Sequence, residues 1–170
     1  YVDLRVVPSY PHQFRKMIKD LQNKISENVG LDNFDSLVSV PTGGLVIASA
    51  LAIEIVKPLI YVRTKPKDYG TTKMVEGHFT KDMKVLMIDD VATTGGSVIN
   101  AIKSLKDEGI NIIDAFVIVN RMEGASENLQ QQGVRMHQIT DIMEITQNLF
   151  EEKLVSQEIL DKVKIQTGKT

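Results

Sequence analysis

The chain contains no cysteine, which removes disulfide scaffolds, thiolate chemistry and cysteine-ligated zinc. A redox function is therefore not expected, and a reducing cytosol suits the sequence. Charge of one sign is not in excess: a formal net charge of −2 offers no bulk attraction to nucleic acid or to a membrane surface, so any anion has to be bound locally. No apolar run approaches the ~18 residues a membrane helix needs, and the opening YVDLRVVPSYP has neither a basic leader nor an apolar signal core. A soluble, cytoplasmic protein is expected. Three histidines, His12, His78 and His137, are not grouped by any ligand spacing and are expected on surface or loop positions. Linkers and internal repeats are missing as well.

What is present fits one domain: 170 residues bury most of the surface of the unfolded chain and leave little for a second core. After Pro11, Phe14, Met17, Ile18, Leu21 and Ile25 recur every three or four residues, which predicts a helix that Gly30 stops. Short apolar runs then alternate with helical stretches: strands over 37–40, 59–62, 85–88 and 112–119, helices over 44–56 and 97–106. In the last of these Val98, Ala101, Ile102 and Leu105 form one stripe, with Gly109 just past the end. Runs such as VLMI and AFVIV are apolar at every position, as in parallel strands covered on both faces. The predicted class is α/β, a doubly wound, mainly parallel sheet flanked by helices. Beyond Arg121 come a polar stretch, SENLQQQG, whose glutamine run is read as a solvated helix face, then the alternating VRMHQI, then a helical tail with Ile142, Ile145, Leu149 and Leu154 as its apolar points.

Chemistry concentrates in KVLMIDDVATTGGSVINAI. A buried strand ends in two acids, a loop of small residues follows, and a helix starts directly after it. Ligands of open α/β sheets lie at the carboxyl ends of the strands. The turn TTGGS offers backbone N–H groups, hydroxyls, glycines that permit close approach, and the positive end of a helix dipole, which together suit a phosphate. Asp89 and Asp90 repel phosphate but accept strong hydrogen bonds from sugar hydroxyls. Acids for a sugar beside amides for its phosphate describe a ribose phosphate. Taken singly, the acids also fit a metal pocket of the receiver kind, and the glycines also fit plain turn chemistry. No lysine and hydroxyl pair follows the glycines as a Walker loop requires, and no GxGxxG opens a helix.

VLMIDDVATTGGS resembles the phosphoribosyl pyrophosphate signature of type I phosphoribosyltransferases. The resemblance implies that family's fold, with a small hood over a core. The hood would be 1–30 and 134–170, the core 31–133, all in a single domain 1–170. It also implies that Asp89 and Asp90 bind the ribose 2′- and 3′-hydroxyls, and that the loop Val91, Ala92, Thr93, Thr94, Gly95, Gly96 and Ser97 binds the donor and its 5′-phosphate. The turn SVPTGGL is similar to the family's pyrophosphate loop, which would make Thr42, Gly43 and Gly44 main-chain donors; the lysine some members carry there is missing.

Further segments are similar to the orotate branch and extend the likeness over nearly the whole chain. YVDLR matches its base-binding segment, RTKPKDYGTTKMVEG its basic mobile loop, and VNRMEG its DRxEG element. The resemblance implies contacts of Arg63, Lys67 and Tyr69 with pyrophosphate. Orotate would be bound by Arg121 through its carboxylate, together with Tyr1 and Thr93. Loop 63–77 has a suitable composition, with Arg63, Lys65, Lys67 and Lys73, no aliphatic residue before Met74, and Gly70 and Gly77 as hinge points; an ordinary solvated loop would share it. Arg121 follows an apolar strand and so projects over the carboxyl-end crevice, where a planar carboxylate can take two parallel hydrogen bonds; a structural salt bridge is its alternative role. Three departures stand out. Thr64 replaces a basic residue, Asn120 replaces an Asp, and the branch's Lys-Ser-Gly segment, which would precede Tyr1, is missing, so the chain is expected to be truncated there.

The expected reaction joins orotate to the ribose of phosphoribosyl pyrophosphate, with Lys67 and Arg63 stabilising the leaving group, Asp89 and Asp90 anchoring the ribose, and Mg²⁺ held mainly by substrate oxygens. The branch implies a homodimer whose mobile loop is shared between subunits, and neither a nucleic-acid nor a membrane partner. Two other readings stay open. A purine or xanthine phosphoribosyltransferase would stack its base on a hood aromatic, where 134–141 offers only His137, and a regulator sensing the same donor would bind nucleic acid.

Overall fold

The computed structural model describes residues 2–65 and 73–168, apart from the side chain of Ile113. Tyr1, Lys67, Tyr69 and Gly70, singled out above, lie outside the described residues.

The chain begins with a short 3₁₀ turn and α1 (Pro11–Asn28). Proline at the first helical position loses no hydrogen bond there, and Ile18, Leu21 and Ile25 form the buried stripe. Then follow β1 (Ser36–Ser39), α2 (Gly43–Ile55), β2 (Leu59–Val62), β3 (Val75–Glu76), β4 (Lys84–Ala92) and α3 (Gly96–Asp107). The remainder is β5 (Asn111–Asn120), α4 (Ala125–Gln130), β6 (Arg135–Asp141), α5 (Ile142–Glu151) and α6 (Gln157–Thr167).

The six strands form one sheet in the order β3-β2-β1-β4-β5-β6. All neighbours are parallel except β3, which runs against β2. Alternation along β4 explains why its apolar run is unbroken. Val85 and Met87 point into a core with Val98, Ile102 and Leu105 of α3, while Leu86 and Ile88 point into another with Leu21 of α1 and Leu51 of α2. Helices therefore cover both faces, as the sequence predicts.

Five details differ from the sequence reading. Strand β4 continues through both acids to Ala92, because β5 pairs with it as far as Val91↔Val119 and Ala92↔Asn120. The end of the basic loop becomes β3, where Arg63 N–H donates to Met74 O (2.8 Å) and Tyr61 pairs with Glu76. Gly77, at φ 111°, sits where a β-carbon would come 2.9 Å from Ile60 Cγ2, so close packing on β2 accounts for it without a hinge. The tail is two helices, and Leu149 and Leu154 are exposed while Thr146 and Leu160 are buried. His137 is on neither surface nor loop: it lies half-buried on β6, its Nε2 2.7 Å from Asp114 Oδ1 and its ring stacked on Phe116.

Candidate active site

The strand order changes direction between β1 and β4. The helix after β1 goes to one face and the helix after β4 to the other, which opens a crevice at their carboxyl ends. Two glycine-bearing turns enter it. Thr42, Gly43 and Gly44 start α2, and Gly95, at φ 80°, starts α3. Neither helix has a side-chain N-cap bond, so the N–H groups of both first turns are available to an anion. Asn128 Nδ2 donates to Thr94 O (2.9 Å) and braces the second turn.

The acids sit against the first turn of α2. A β-carbon on Gly44 would come 2.6 Å from Asp89 Oδ1, and one on Gly43 would overlap the Asp90 carboxylate. Glycine at both positions is therefore a steric requirement of the acids. Asp89 is buried: it accepts from the Asp90 N–H (3.0 Å), and Ser97 Oγ lies 3.4 Å from its Oδ2. Burial, reinforced by the neighbouring Asp90 charge, pushes its carboxyl up to about 7. Asp90 instead lines a cavity of about 320 Å³ together with Thr42, Gly43, Val91, Thr93 and Arg121. Neighbours on a strand point to different sides, so the paired acids occupy unlike surroundings.

Arg121 leaves the end of β5 with its N–H donating to Ala92 O (2.8 Å). The next residue, Met122, is left-handed at φ 60°, and its N–H donates to Asn120 Oδ1 (2.8 Å). Asn120 is itself buried and donates through Nδ2 to Gln138 Oε1 (2.7 Å). A non-glycine residue in this conformation is costly and is kept by such a network. The bend turns Arg121 toward the cavity.

Arg63 and Ser97 line a separate cavity of about 420 Å³ with Thr64 and Met74. Arg63 Nη1 lies 3.6 Å from Glu76 Oε1, and its Nε–H donates to Lys65 O (3.1 Å). Ala92 is buried, packed with Val117 and Ala125, while Thr94 and Gly96 are exposed on the turn. Asp3 and Arg5, which the sequence reading passed over, line the same cavity as Arg121. Asp3 accepts from Arg5 Nε (2.8 Å) and Nη2 (2.9 Å), and these bonds hold its carboxyl below the ordinary range. The i, i+2 spacing of an acid and an arginine in YVDLR was the available signal.

Residues 11–148 match the phosphoribosyl transferase domain family, and the chain belongs to that family. It is 49% identical over 167 residues, 98% of this chain and 84% of the other, to the orotate phosphoribosyltransferase of Cenarchaeum symbiosum. The crystal structure of orotate phosphoribosyltransferase from Aeropyrum pernix superposes with a TM-score of 0.80 at 34% identity, covering 89% of this chain and 84% of that one. Leishmania donovani UMP synthase matches all of this chain with a TM-score of 0.86 at 25% identity, and this chain spans 36% of its length. The architecture is thus the type I phosphoribosyltransferase fold, as the signature implied.

Proposed function

We infer that this chain is an orotate phosphoribosyltransferase, transferring the phosphoribosyl group from phosphoribosyl pyrophosphate to orotate to give orotidine 5′-monophosphate and pyrophosphate. One observation carries the reading: Asp90, the uncapped N-terminus of α2, Thr93 of the turn that leads into α3, and Arg121 line one cavity at the strand-order switch. Those groups suit, in turn, a ribose, two phosphate-bearing ends and a carboxylate.

In this reading the first turn of α3, with Thr93, Thr94, Gly95, Gly96 and Ser97, holds the 5′-phosphate, and Thr42 and Gly43 face the pyrophosphate. Asp90 accepts from the ribose hydroxyls, and Asp89 accepts from the Asp90 N–H and the Ser97 hydroxyl beside it. Arg121 fixes the orotate carboxylate, so that a ring nitrogen faces the anomeric carbon. The bond from that carbon to pyrophosphate breaks through an oxocarbenium-like state as the new C–N bond forms with inversion, and the proton of that ring nitrogen leaves with pyrophosphate or to water. Arg63, with Lys67 and Tyr69 from the basic loop, meets the charge of the leaving group. No protein nucleophile is needed.

Mg²⁺ fits this donor set as a substrate-held ion. Among the described residues no group of three acids or histidines could bind it alone, and one carboxylate beside substrate phosphates is its usual environment. Bound there it would neutralise pyrophosphate oxygens. The outer face of α2 carries Val46 and Ile53, and Val56 follows at its C-terminal end, with Ile53 82% and Val56 88% exposed, which supports a homodimer through this helix. Among the described residues no helix is long and apolar enough to cross a membrane, in keeping with a cytoplasmic enzyme.

The test is product identity. Incubation with orotate, phosphoribosyl pyrophosphate and Mg²⁺ should give orotidine 5′-monophosphate by mass, dependent on all three; a chain that binds the donor and makes no product overturns the reading.

A further inference from the structure

The base-side wall of the crevice holds a contact that the reaction does not require by itself. Arg121 Nη2 donates to Glu123 Oε1 (2.8 Å), and Gln166 Nε2, 43 residues further on in α6, donates to the same oxygen (2.9 Å). Arginine and glutamate are each 29% exposed in their side chains, so the pair is more sheltered than an ordinary surface bridge. A guanidinium has two edges that can each give a carboxylate two parallel hydrogen bonds, Nε with Nη2 and Nη1 with Nη2, and Nη2 supplies one N–H to each. With Oε1 on one of those N–H groups, a single two-donor edge remains intact. Glu123 therefore selects which edge of Arg121 can meet a second carboxylate.

Gln166 makes that selection rigid. A glutamate side chain alone has several rotamers to lose, and a bond from a separate helix removes that freedom before any ligand arrives. The main chain of Arg121 is fixed independently, by its own bond to Ala92 O and by the Asn120 bond to left-handed Met122. With the backbone set from one side and the guanidinium from the other, the free edge has one direction.

We propose that Glu123, clamped by Gln166 of the C-terminal helix, is a positioning residue that orients Arg121 for the carboxylate of the base. The proposal rests on the reading of Arg121 as the orotate contact. It places a specificity device in α6, outside the nucleotide signature and outside the crevice lining.

Steady-state kinetics on the full chain test it, with KM for orotate and for phosphoribosyl pyrophosphate measured for Glu123→Ala, Glu123→Gln, Gln166→Leu, the Glu123→Ala/Gln166→Leu double variant and Arg121→Ala. Glu123→Ala should raise KM for orotate by about tenfold or more, the range of a charged hydrogen bond, with kcat and KM for the donor within about twofold. Glu123→Gln, which keeps an acceptor oxygen, should recover part of the loss. Gln166 is exposed, so Gln166→Leu should fold, and it should raise KM for orotate by about three- to fivefold. The double variant should be no worse than Glu123→Ala, since Gln166 acts only through Glu123. Additive effects, or orotate and donor constants rising together, overturn the proposal. If Arg121→Ala weakens orotate while the Glu123 and Gln166 variants do not, this proposal alone fails. If Arg121→Ala leaves orotate untouched, the reading beneath it fails too.

Discussion

Gly43, in the first turn of α2, and Asp90, near the end of β4, share a space that only a hydrogen at Gly43 leaves open: a β-carbon there would overlap the carboxylate. Gly43→Ala must therefore push the acid away or unwind the start of the helix. A shift of about 1 Å at a binding group can cost about 10²-fold in rate, so kcat/KM for phosphoribosyl pyrophosphate should fall on that scale. KM for orotate should change little. Equal activity with alanine would show that Asp90 does not work from the position described.

Asp89 gives a pH dependence with a defined sign. Its carboxyl is raised from 3.8 to about 7 in the folded chain, chiefly by burial and then by Asp90, so the folded state holds a proton that the unfolded state has lost. Stability from this group is fully present below about pH 4 and is lost as pH rises through about 7. Denaturant midpoints should fall from about pH 5 to pH 8 in the wild type, and Asp89→Asn should flatten that slope. Identical slopes in the two proteins would contradict the raised value.

Arg121 and Asp90 face the same cavity, and in the proposed reading they bind different substrates, so substitution should separate them. Arg121→Ala should weaken orotate by roughly 10- to 150-fold, the equivalent of 1.5–3 kcal/mol for a charged hydrogen bond, and leave the ribose donor nearly unaffected. Asp90→Asn should do the reverse. Isothermal titration of each substrate against each variant reads both, and parallel losses would remove the division of labour.

The outer face of α2 predicts self-association. Ile53→Glu introduces a charge at an 82% exposed position, where a monomer would tolerate it. Sedimentation should show a dimer in the wild type and a weakened one in the variant, with the thermal midpoint of the monomer preserved. An unchanged mass would place the interface elsewhere.

Much of this was legible in the sequence because local pattern and tertiary burial agree. The stripe Val98, Ala101, Ile102 and Leu105 is buried as its spacing predicts, and the unbroken apolar run of β4 is covered on both faces. Asp89 and Asp90 were found as a pair, but their different surroundings follow from strand geometry that continues past the apolar run, and the extension was set by β5. Leu149 fits a helical period without being buried, since period alone does not say whether a partner covers the face, and Leu154 falls in the connection between α5 and α6, where the period is broken. The Glu123–Gln166 contact spans 43 residues and has no local signature. Asn120 looked like a departure from a family pattern; its donor group, absent from aspartate, is the one that Gln138 accepts.

Competition between bases tests the central claim most directly. Equal concentrations of orotate, uracil, hypoxanthine, guanine, xanthine and adenine, supplied with phosphoribosyl pyrophosphate and Mg²⁺, should yield orotidine 5′-monophosphate alone, and Arg121→Ala should abolish the preference for orotate over uracil, which has the same ring without the carboxylate. A purine nucleotide as the main product would keep Asp89, Asp90 and the phosphate turn and would contradict the assignment of Arg121 and of the reaction.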